Sequence, residues 1–374
     1  MFTQVPGQAR LKEQFARALT EGTMSHAYLL AGREGLAKTA FARDLAVALV
    51  TGCGGCGHCA ECERARRGLH PDLHLLEREG DVIRVEQVEP ILADLSLKPF
   101  GAGRRVWVIP EAETLHPAAA NKLLKTIEEP PGDVHFLLVT DHIERMLPTI
   151  ISRCQLAEFH PLSDADVEAY LSAVYGLDGS AAAAITRLSA GSVERADRLV
   201  TDVRGPRRRE QYLEHITTLA SGPQCAAAAD GFVAVLERHR TEIKAEVAAE
   251  LAQRQQELEQ QFQEKRELKW RQDAAALRAR REEGRRLRVA GLDAVDVLIA
   301  WLRDLWVVAC GAPEVLLDCD REAELRAAAV ATPEHYARLL SAAAQTRKDL
   351  ALNVDQKLAL QALFARCEEV PESA

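Results

Sequence analysis

At 374 residues the chain exceeds the size of one typical core, so we expect two or three domains. Its formal net charge of −9 excludes a protein that is basic overall, so any contact with nucleic acid would have to be local. No basic segment followed by an apolar one opens the chain, and no window approaches about 18 uninterrupted apolar residues. We therefore expect a cytoplasmic protein without a signal peptide and without a contact to the membrane.

Helix and strand patterns alternate over residues 1–160. Strands are predicted for AYLLAG, DLHLLE, RRVWVIP and VHFLLVT, because each is a short run rich in apolar residues. Helices are predicted for QARLKEQFARALTEG, KTAFARDLAVALVTG, VEQVEPILADLSL and HPAAANKLLKTIEEPP. Apolar strands that alternate with helices predict an α/β domain whose parallel sheet is covered by helices on both faces.

Helical patterns alone continue after this domain. Residues 161–205 are predicted to form a small group of helices, and residues 206–374 an alanine-rich helical domain, with RGPRRRE as the joint between them. A segment at about 240–288 is highly charged and ends in the basic run RARREEGRRLR. We interpret this segment as a long solvated helix or a helical hairpin. A nucleic-acid or partner surface is the alternative, although a lone tryptophan gives little support to base stacking.

A degenerate phosphate loop follows the first predicted strand. Residues 32–39 read GREGLAKT, close to the pattern G-x-x-x-x-G-K-[ST]. The loop residues that we expect to take part are Gly32, Gly35, Lys38 and Thr39. Ala37 stands where the pattern has its second glycine, and a positive φ there would cost about 1–2 kcal/mol. We expect weak or absent nucleotide binding, with a chance glycine-rich turn before a helix as the alternative.

Hydrolysis would also need an acidic residue at the end of the strand RRVWVI, where it would hold hydrated Mg²⁺. The chain has Pro110 at that point, followed by Glu111. Proline has no carboxylate, so the acid that positions the metal is missing while the following glutamate remains. Two separate defects in one hydrolytic site argue against a vigorous ATPase.

Four of the nine cysteines lie in CGGCGHCAEC, at Cys53, Cys56, Cys59 and Cys62. Each is separated from the next by two residues, and four thiolates suit the tetrahedral coordination of a structural zinc ion. His58 could replace Cys53 as a ligand. An iron–sulfur cluster and free thiols are the alternatives, although the ferredoxin pattern has a longer last gap and a proline after it.

Several stretches together resemble the bacterial clamp-loader subunits of the AAA+ class: SHAYLLAG, AAANKLLKTIEEPP, FLLVT and LPTIISRCQ. The resemblance covers residues 1–205 well and extends more loosely to LIAWLRDLWVVACGAPE and NVDQKLALQALF. It implies an AAA+ α/β domain at 1–160 with a zinc module at 53–62. A helical lid at 161–205 and an all-α collar domain at 206–374, with the charged insertion, would complete the chain.

The triplet SRC is the sharpest part of this resemblance. In the family its arginine reaches across a subunit boundary to a neighbour's ATP, which here would make Arg153 an arginine finger. An ordinary surface arginine is the alternative, and Cys154 is interpreted as a packed thiol. The resemblance implies that Thr140 matches a γ-phosphate sensor, which we expect to be structural here. It also implies that the lid segment GSVERAD has its arginine, Arg195, one place later than in ATP-hydrolysing relatives.

Three functions remain open at this stage. The first is a clamp-loader subunit of DNA polymerase III that does not hydrolyse ATP itself. The resemblance implies that it joins other loader subunits in a hetero-pentamer and acts with the sliding clamp and primer-template DNA. The second is an ATP-hydrolysing subunit of the same family, and the third is a zinc-dependent nucleic-acid-binding protein. ATP or ADP is a doubtful cofactor in the first case, and zinc is expected in all three.

Overall fold

Two structural units follow each other along the chain in the computed structural model, Met1–Asp202 and Val203–Ala374. The structure describes residues 2, 5–78, 82–95, 99, 104–130, 132–217, 225–261, 265–318, 321–351 and 354–368. The last two residues of the predicted helix VEQVEPILADLSL, at 96–97, and the middle of the charged segment, at 262–264, lie outside these residues. The boundary predicted at 160/161 remains a prediction.

A five-stranded parallel sheet forms the centre of the first unit, with the order β2-β3-β4-β1-β5. Its strands are β1 (Ala27–Ala31), β2 (Leu73–Leu75), β3 (Arg105–Ile109), β4 (Val134–Thr140) and β5 (Gln155–Glu158). The first four lie where the apolar runs predicted them. The short strand β5 was not predicted from the sequence, because Ala157 is its one buried residue and so it lacks an apolar run.

Helices follow the strands along the first unit. They are α1 (Ala9–Glu21), α2 (Lys38–Val50), α3 (Ala60–Arg66), α4 (Val85–Asp94), α5 (Pro117–Glu128), α6 (Pro148–Ile151), α7 (Asp164–Tyr175), α8 (Gly179–Ser189) and α9 (Val193–Thr201). Short 3-10 helices span Ala112–Thr114 and Ile143–Arg145. The sequence also sets their ends, as α7 illustrates. Ser163 Oγ accepts a hydrogen bond from Asp166 N, the Asp166 carboxylate accepts one from Ser163 N, and Gly176 ends the helix with φ 66°.

The sheet separates two apolar cores, because successive side chains of a strand point to opposite faces. Leu30 and Leu137 pack with residues of α1, α2 and the helices after residue 163. Leu29 and Leu138 pack on the other face, with residues of α4 and α5. All four leucines are fully buried. The prediction of a parallel α/β domain covered on both faces is therefore confirmed.

The described part of the second unit is all helical, as predicted. Its helices are α10 (Gly205–Ile216), α11 (Cys225–Gln261), α12 (Lys265–Ala309), α13 (Glu322–Ala328), α14 (Pro333–Ala351) and α15 (Gln356–Glu368), with a 3-10 helix at Pro313–Val315. Their buried side chains form one core around Trp301, Phe232 and Phe364. The segment RGPRRRE, predicted as a joint, follows directly on the division at Asp202/Val203, and its residues from Gly205 onward form the first turns of α10, since Pro206 is tolerated there.

The charged segment at about 240–288 forms an antiparallel pair of long helices from α11 and α12. The Arg286 guanidinium makes two hydrogen bonds to the Glu250 carboxylate, at 2.9 and 3.1 Å, and Gln272 Nε2 donates to Glu259 at 3.1 Å. Val247 of α11 is buried and belongs to the apolar core of the second unit. The hairpin interpretation is correct, and part of the basic run is engaged in ion pairs with α11.

Glu282 makes the stability of the hairpin depend on pH. Hydrogen bonds from Arg285 and then Arg286 lower the pKa of Glu282 to about 2, against 4.5 for an unperturbed glutamate. This stabilisation is fully present above about pH 4.5 and is lost as the pH falls towards 2. About a third of the Glu282 side chain is exposed, so solvent screening limits the contribution to about 1 kcal/mol or less.

We therefore expect Glu282→Gln to lower the free energy of unfolding of the second unit slightly at pH 6. The difference from the natural chain should shrink between pH 4.5 and 2, as followed by urea titration. Glu283→Gln on the same helix is the control. A difference for Glu282→Gln that stays constant down to pH 2 would contradict the assignment.

No helix in the described ranges combines the length and the low charge that a membrane span requires.

Candidate functional site

The phosphate-loop segment connects the carboxyl end of β1 to the first turn of α2. Ala31, the last residue of β1, is paired with Thr140, the last residue of β4. The residues that follow these two strands, Gly32 and Asp141, therefore leave the sheet side by side. This register brings a carboxylate from beyond β4 next to the loop, although 109 positions separate the paired residues.

Ala37 occupies the strained position that the sequence predicted. Its φ of 56° and ψ of 26° lie in the left-handed region, and it immediately precedes the first residue of α2. A residue with a Cβ atom costs about 1–2 kcal/mol in this conformation. The side chain is also buried in the core above the sheet. The loop keeps the backbone path that a glycine would favour, and the packing of the surrounding core offsets the strain.

Lys38 does not extend towards solvent. Its side chain is 3 % exposed, and Nζ lies 2.6 Å from Asp141 Oδ1. The same Nζ donates to the carbonyl oxygen of Arg33 within the loop. A lysine in an active phosphate loop would direct this charge at the β/γ-phosphate oxygens. Here the ammonium is neutralised by a carboxylate of its own chain.

Two further carboxylates lie close to the loop. Glu194 at the start of α9 accepts a hydrogen bond from Ala37 N at 3.1 Å through Oε1. Burial raises the pKa of Glu194, and Lys38 opposes that shift. Glu113, after β3, is also largely buried, and burial raises the pKa of its carboxyl group. With Asp141, these groups make the surroundings of the loop acidic, which disfavours a bound phosphate.

The end of β3 has the residues that the sequence analysis singled out. Pro110 follows the strand, and Glu111 has a left-handed backbone with φ 50°. Glu111 Oε2 lies 2.5 Å from Arg78 Nε, so this carboxylate is engaged in an ion pair. At the end of β4, Thr140 Oγ1 accepts a hydrogen bond from His142 N. This bond shapes the turn that places Asp141.

The four predicted cysteine ligands converge between α2 and the start of α3. Their sulfur atoms all lie within 4.8 Å of one another: Cys53, Cys56, Cys59 and Cys62. Measured Sγ–Sγ distances are 3.3, 3.5 and 3.9 Å, close to the separation of about 3.8 Å that tetrahedral Zn–S bonds of about 2.3 Å require. His58 Nδ1 lies 3.1 Å from the carbonyl oxygen of Cys56 instead. The cluster can hold a metal ion.

The cysteine cluster is anchored to α2 through Thr51. Thr51 Oγ1 donates to Val47 O at 2.8 Å and accepts from Gly55 N at 3.1 Å. It also lies 3.6 Å from Cys53 Sγ. Burial raises the pKa of the innermost thiol, Cys62, to about 11, whereas a hydrogen bond from the Cys56 backbone lowers that of Cys53 to about 5. A bound metal ion would overcome the cost of ionising Cys62, since metal coordination deprotonates thiols.

Arg153 is the second residue after α6 and the middle residue of the SRC triplet. About a third of its side chain is exposed, and Nε donates to Glu128 Oε2 at 3.1 Å. Nη1 donates to the carbonyl oxygen of Thr149 at 3.1 Å. These bonds hold the guanidinium at the surface, against Glu128 and the last turn of α6. Cys154 beside it is a half-buried thiol, and burial raises its pKa to about 12.

The loop residues lie between the end of β1 and the first turn of α2, and the structure adds Asp141 and Glu194, which the sequence analysis missed. Asp141 could have been found as a carboxylate directly after an apolar strand. Glu194 carried no such signal, because its position relative to the loop depends on how α9 packs. Arg153 and the cysteines form separate sites, and no described contact joins either of them to the phosphate loop.

Comparisons with known proteins match the first unit. A family model described as "DNA polymerase III, delta subunit" matches residues 7–163. DNA polymerase III subunit delta' of Bacillus subtilis (strain 168) is 35 % identical over 164 residues, which are 43 % of this chain and 50 % of that protein. DNA polymerase III subunit tau of Salmonella typhimurium is 36 % identical over 174 residues, which are 45 % of this chain and 26 % of that protein.

A solved structure also resembles the chain over most of its length. It is a DNA polymerase III gamma-subunit-related protein from Thermotoga maritima, with 15 % identity, coverage of 96 % of this chain and 99 % of that one, and a TM-score of 0.41. The sequence matches span half or less of the two named relatives. Over residues 7–163, this chain is therefore similar to subunits of DNA polymerase III, of both the delta' and the tau type.

Proposed function

We propose that this chain is the delta-prime-type subunit of a DNA polymerase III clamp loader in the cytoplasm. In this role it does not hydrolyse ATP itself, and its Arg153 completes the active site of a neighbouring ATPase subunit. The other loader subunits, of gamma/tau and delta type, would be its partners in a hetero-pentamer. The assembly would act on the sliding clamp and on primer-template DNA.

The observation that carries this proposal is the state of Lys38. The Lys38 ammonium is buried and lies 2.6 Å from Asp141 Oδ1, so its charge is already balanced by a carboxylate of the same chain. Pro110 also removes the carboxylate that would position Mg²⁺. These features support a subunit that has kept the fold but not the hydrolytic site.

Arg153 supports the second half of the proposal. An arginine finger needs a guanidinium that is charged, extended and accessible from outside the chain. Arg153 lies at the surface with about a third of its side chain exposed, and a neighbour's phosphate would replace its hydrogen bonds to Glu128 and Thr149. This geometry is suited to phosphate oxygens presented by a neighbour.

The cysteine cluster has a separate role in the proposal. Its sulfur separations fit zinc, and four protein ligands leave no open coordination position for catalysis. Zinc would therefore stabilise the segment between α2 and α3. We assign it no part in the ATPase reaction.

An ATP-hydrolysing subunit of gamma/tau type is the second candidate, because a tau subunit is as similar to this chain as a delta' subunit is. A zinc-dependent nucleic-acid-binding protein has less support. Arginines of the basic run form ion pairs with Glu250 and Glu282, which reduces the positive charge available to nucleic acid.

Reconstitution tests the proposal against both alternatives. The purified chain is mixed with gamma/tau-type and delta-type subunits, and the products are analysed by size-exclusion chromatography and by ATP hydrolysis. We expect a stoichiometric complex whose hydrolysis rate exceeds that of the mixture lacking this chain. The chain alone should be inactive. ATP hydrolysis by the chain alone that Lys38→Ala abolishes would favour the gamma/tau type. Tight, salt-sensitive DNA binding by the chain alone would favour the third function.

A further inference from the structure

The first turn of α9 is seated directly on the phosphate-loop segment. Val193 N donates a hydrogen bond to the carbonyl oxygen of Gly35 at 2.8 Å. Gly35 has φ 86°, and a Cβ atom added there would lie 2.1 Å from Ser192 Oγ. The glycine therefore permits a close approach between loop and helix, and not only the turn of the loop itself.

This contact places the Glu194 carboxylate beside the loop. Oε1 accepts from Ala37 N at 3.1 Å, and Ala37 is the residue that immediately precedes α2. Oε2 is buried and has no hydrogen-bond partner among the described residues. A buried carboxylate with one satisfied oxygen is costly, so the contact depends on the hydrogen bond from Ala37 N and on the charge of the nearby Lys38.

Two donors of the loop are therefore occupied by groups of the same chain. A phosphate loop binds an anion through backbone N–H groups and through its lysine. Here the N–H of Ala37 donates to Glu194, and the ammonium of Lys38 is paired with Asp141. Because Glu194 belongs to the same chain, its carboxylate competes with a nucleotide phosphate at an effective concentration on the order of millimolar.

We propose that Glu194 is an internal substitute for a nucleotide phosphate, and that neutralising it converts the loop into a binding site for a nucleoside diphosphate. The strain at Ala37 and the missing acid at Pro110 then weaken nucleotide binding and hydrolysis, but Glu194 is what excludes the ligand. The proposal concerns this chain's own loop and is independent of the role of Arg153.

The test measures binding of ADP to the full chain by isothermal titration calorimetry. We expect no saturable binding to the natural chain at millimolar ADP. Glu194→Ala should bind ADP at least about tenfold more tightly than the natural chain. Glu168→Ala, which removes an exposed carboxylate from the neighbouring helix α7, is the matched control and should not bind.

A double variant makes the site assignment specific. Adding Lys38→Ala to Glu194→Ala should abolish the gained binding, because the loop then lacks its cation. Glu194→Gln is the second variant in case the alanine variant melts early, since it keeps the size and one acceptor for Ala37 N while removing the charge. Folded Glu194 variants that bind ADP no better than the natural chain would overturn the proposal. So would a gain that persists without Lys38, or micromolar binding by the natural chain.

Experiments on the reconstituted complex distinguish a failure of this proposal from a failure of the proposed function. Failure of Glu194→Ala to bind ADP, with normal stimulation of hydrolysis in the complex, would refute the internal substitute alone. Gained ADP binding in a chain that does not assemble with loader subunits would refute the proposed function alone.

Discussion

Replacing Arg153 by alanine should slow ATP hydrolysis at the neighbouring site by about 10³-fold or more, which is the range for arginine fingers in phosphoryl transfer. The guanidinium would stabilise charge that develops on the γ-phosphate, so the loss falls on kcat of that site. The total rate of the complex should fall less, in proportion to the sites that Arg153 does not serve. Assembly should be unchanged, since the side chain is on the surface. Single-turnover hydrolysis in the reconstituted complex measures the effect.

Two control variants test whether the effect comes from the guanidinium of Arg153. Arg153→Lys keeps the charge but not the planar fork, so it should recover only part of the rate. Glu128→Gln removes the intramolecular partner of Arg153 at an exposed ion pair worth about 1 kcal/mol or less, so the fold should tolerate it. If Arg153→Ala hydrolyses ATP at the natural rate in a fully assembled complex, Arg153 is an ordinary surface arginine.

Loss of the metal should have the second largest effect. We expect one zinc ion per chain, and we expect Cys62→Ser to abolish its binding and to destabilise the first unit by about 3 kcal/mol or more. Cys62 is fully buried, so the variant loses a ligand and leaves a hydroxyl among apolar neighbours. Metal analysis and thermal unfolding, with and without a chelator, measure both effects.

Cys310→Ser is the control for the zinc prediction. Cys310 is an exposed cysteine of the second unit and lies outside the cluster, so its loss should change neither metal content nor melting. If metal analysis finds iron and the protein absorbs visible light, the four cysteines hold an iron–sulfur cluster and not zinc. A metal-free chain with the same melting temperature as Cys62→Ser would show that the four cysteines act as free thiols.

Local patterns predicted those parts of the fold in which neighbouring residues carry the signal. Four strands are apolar runs, α7 has a capping box and a terminal glycine, and the cysteine ligands are spaced two residues apart. Strand β5 was missed because an edge strand with one buried residue, Ala157, lacks an apolar run. It is specified by pairing with β1, which is a contact between distant parts of the chain.

The amino-acid sequence by itself predicted a degenerate phosphate loop, because Ala37 and Pro110 depart from the pattern and can be identified without knowing their neighbours in space. It also predicted the four cysteine ligands and the candidate finger, Arg153. Only the tertiary structure decided what occupies the loop. Asp141 reaches Lys38 through the parallel register of β1 and β4, and Glu194 reaches Ala37 through the docking of α9. Coulomb energy depends on distance in space, and chain folding brings together charges that sequence position separates.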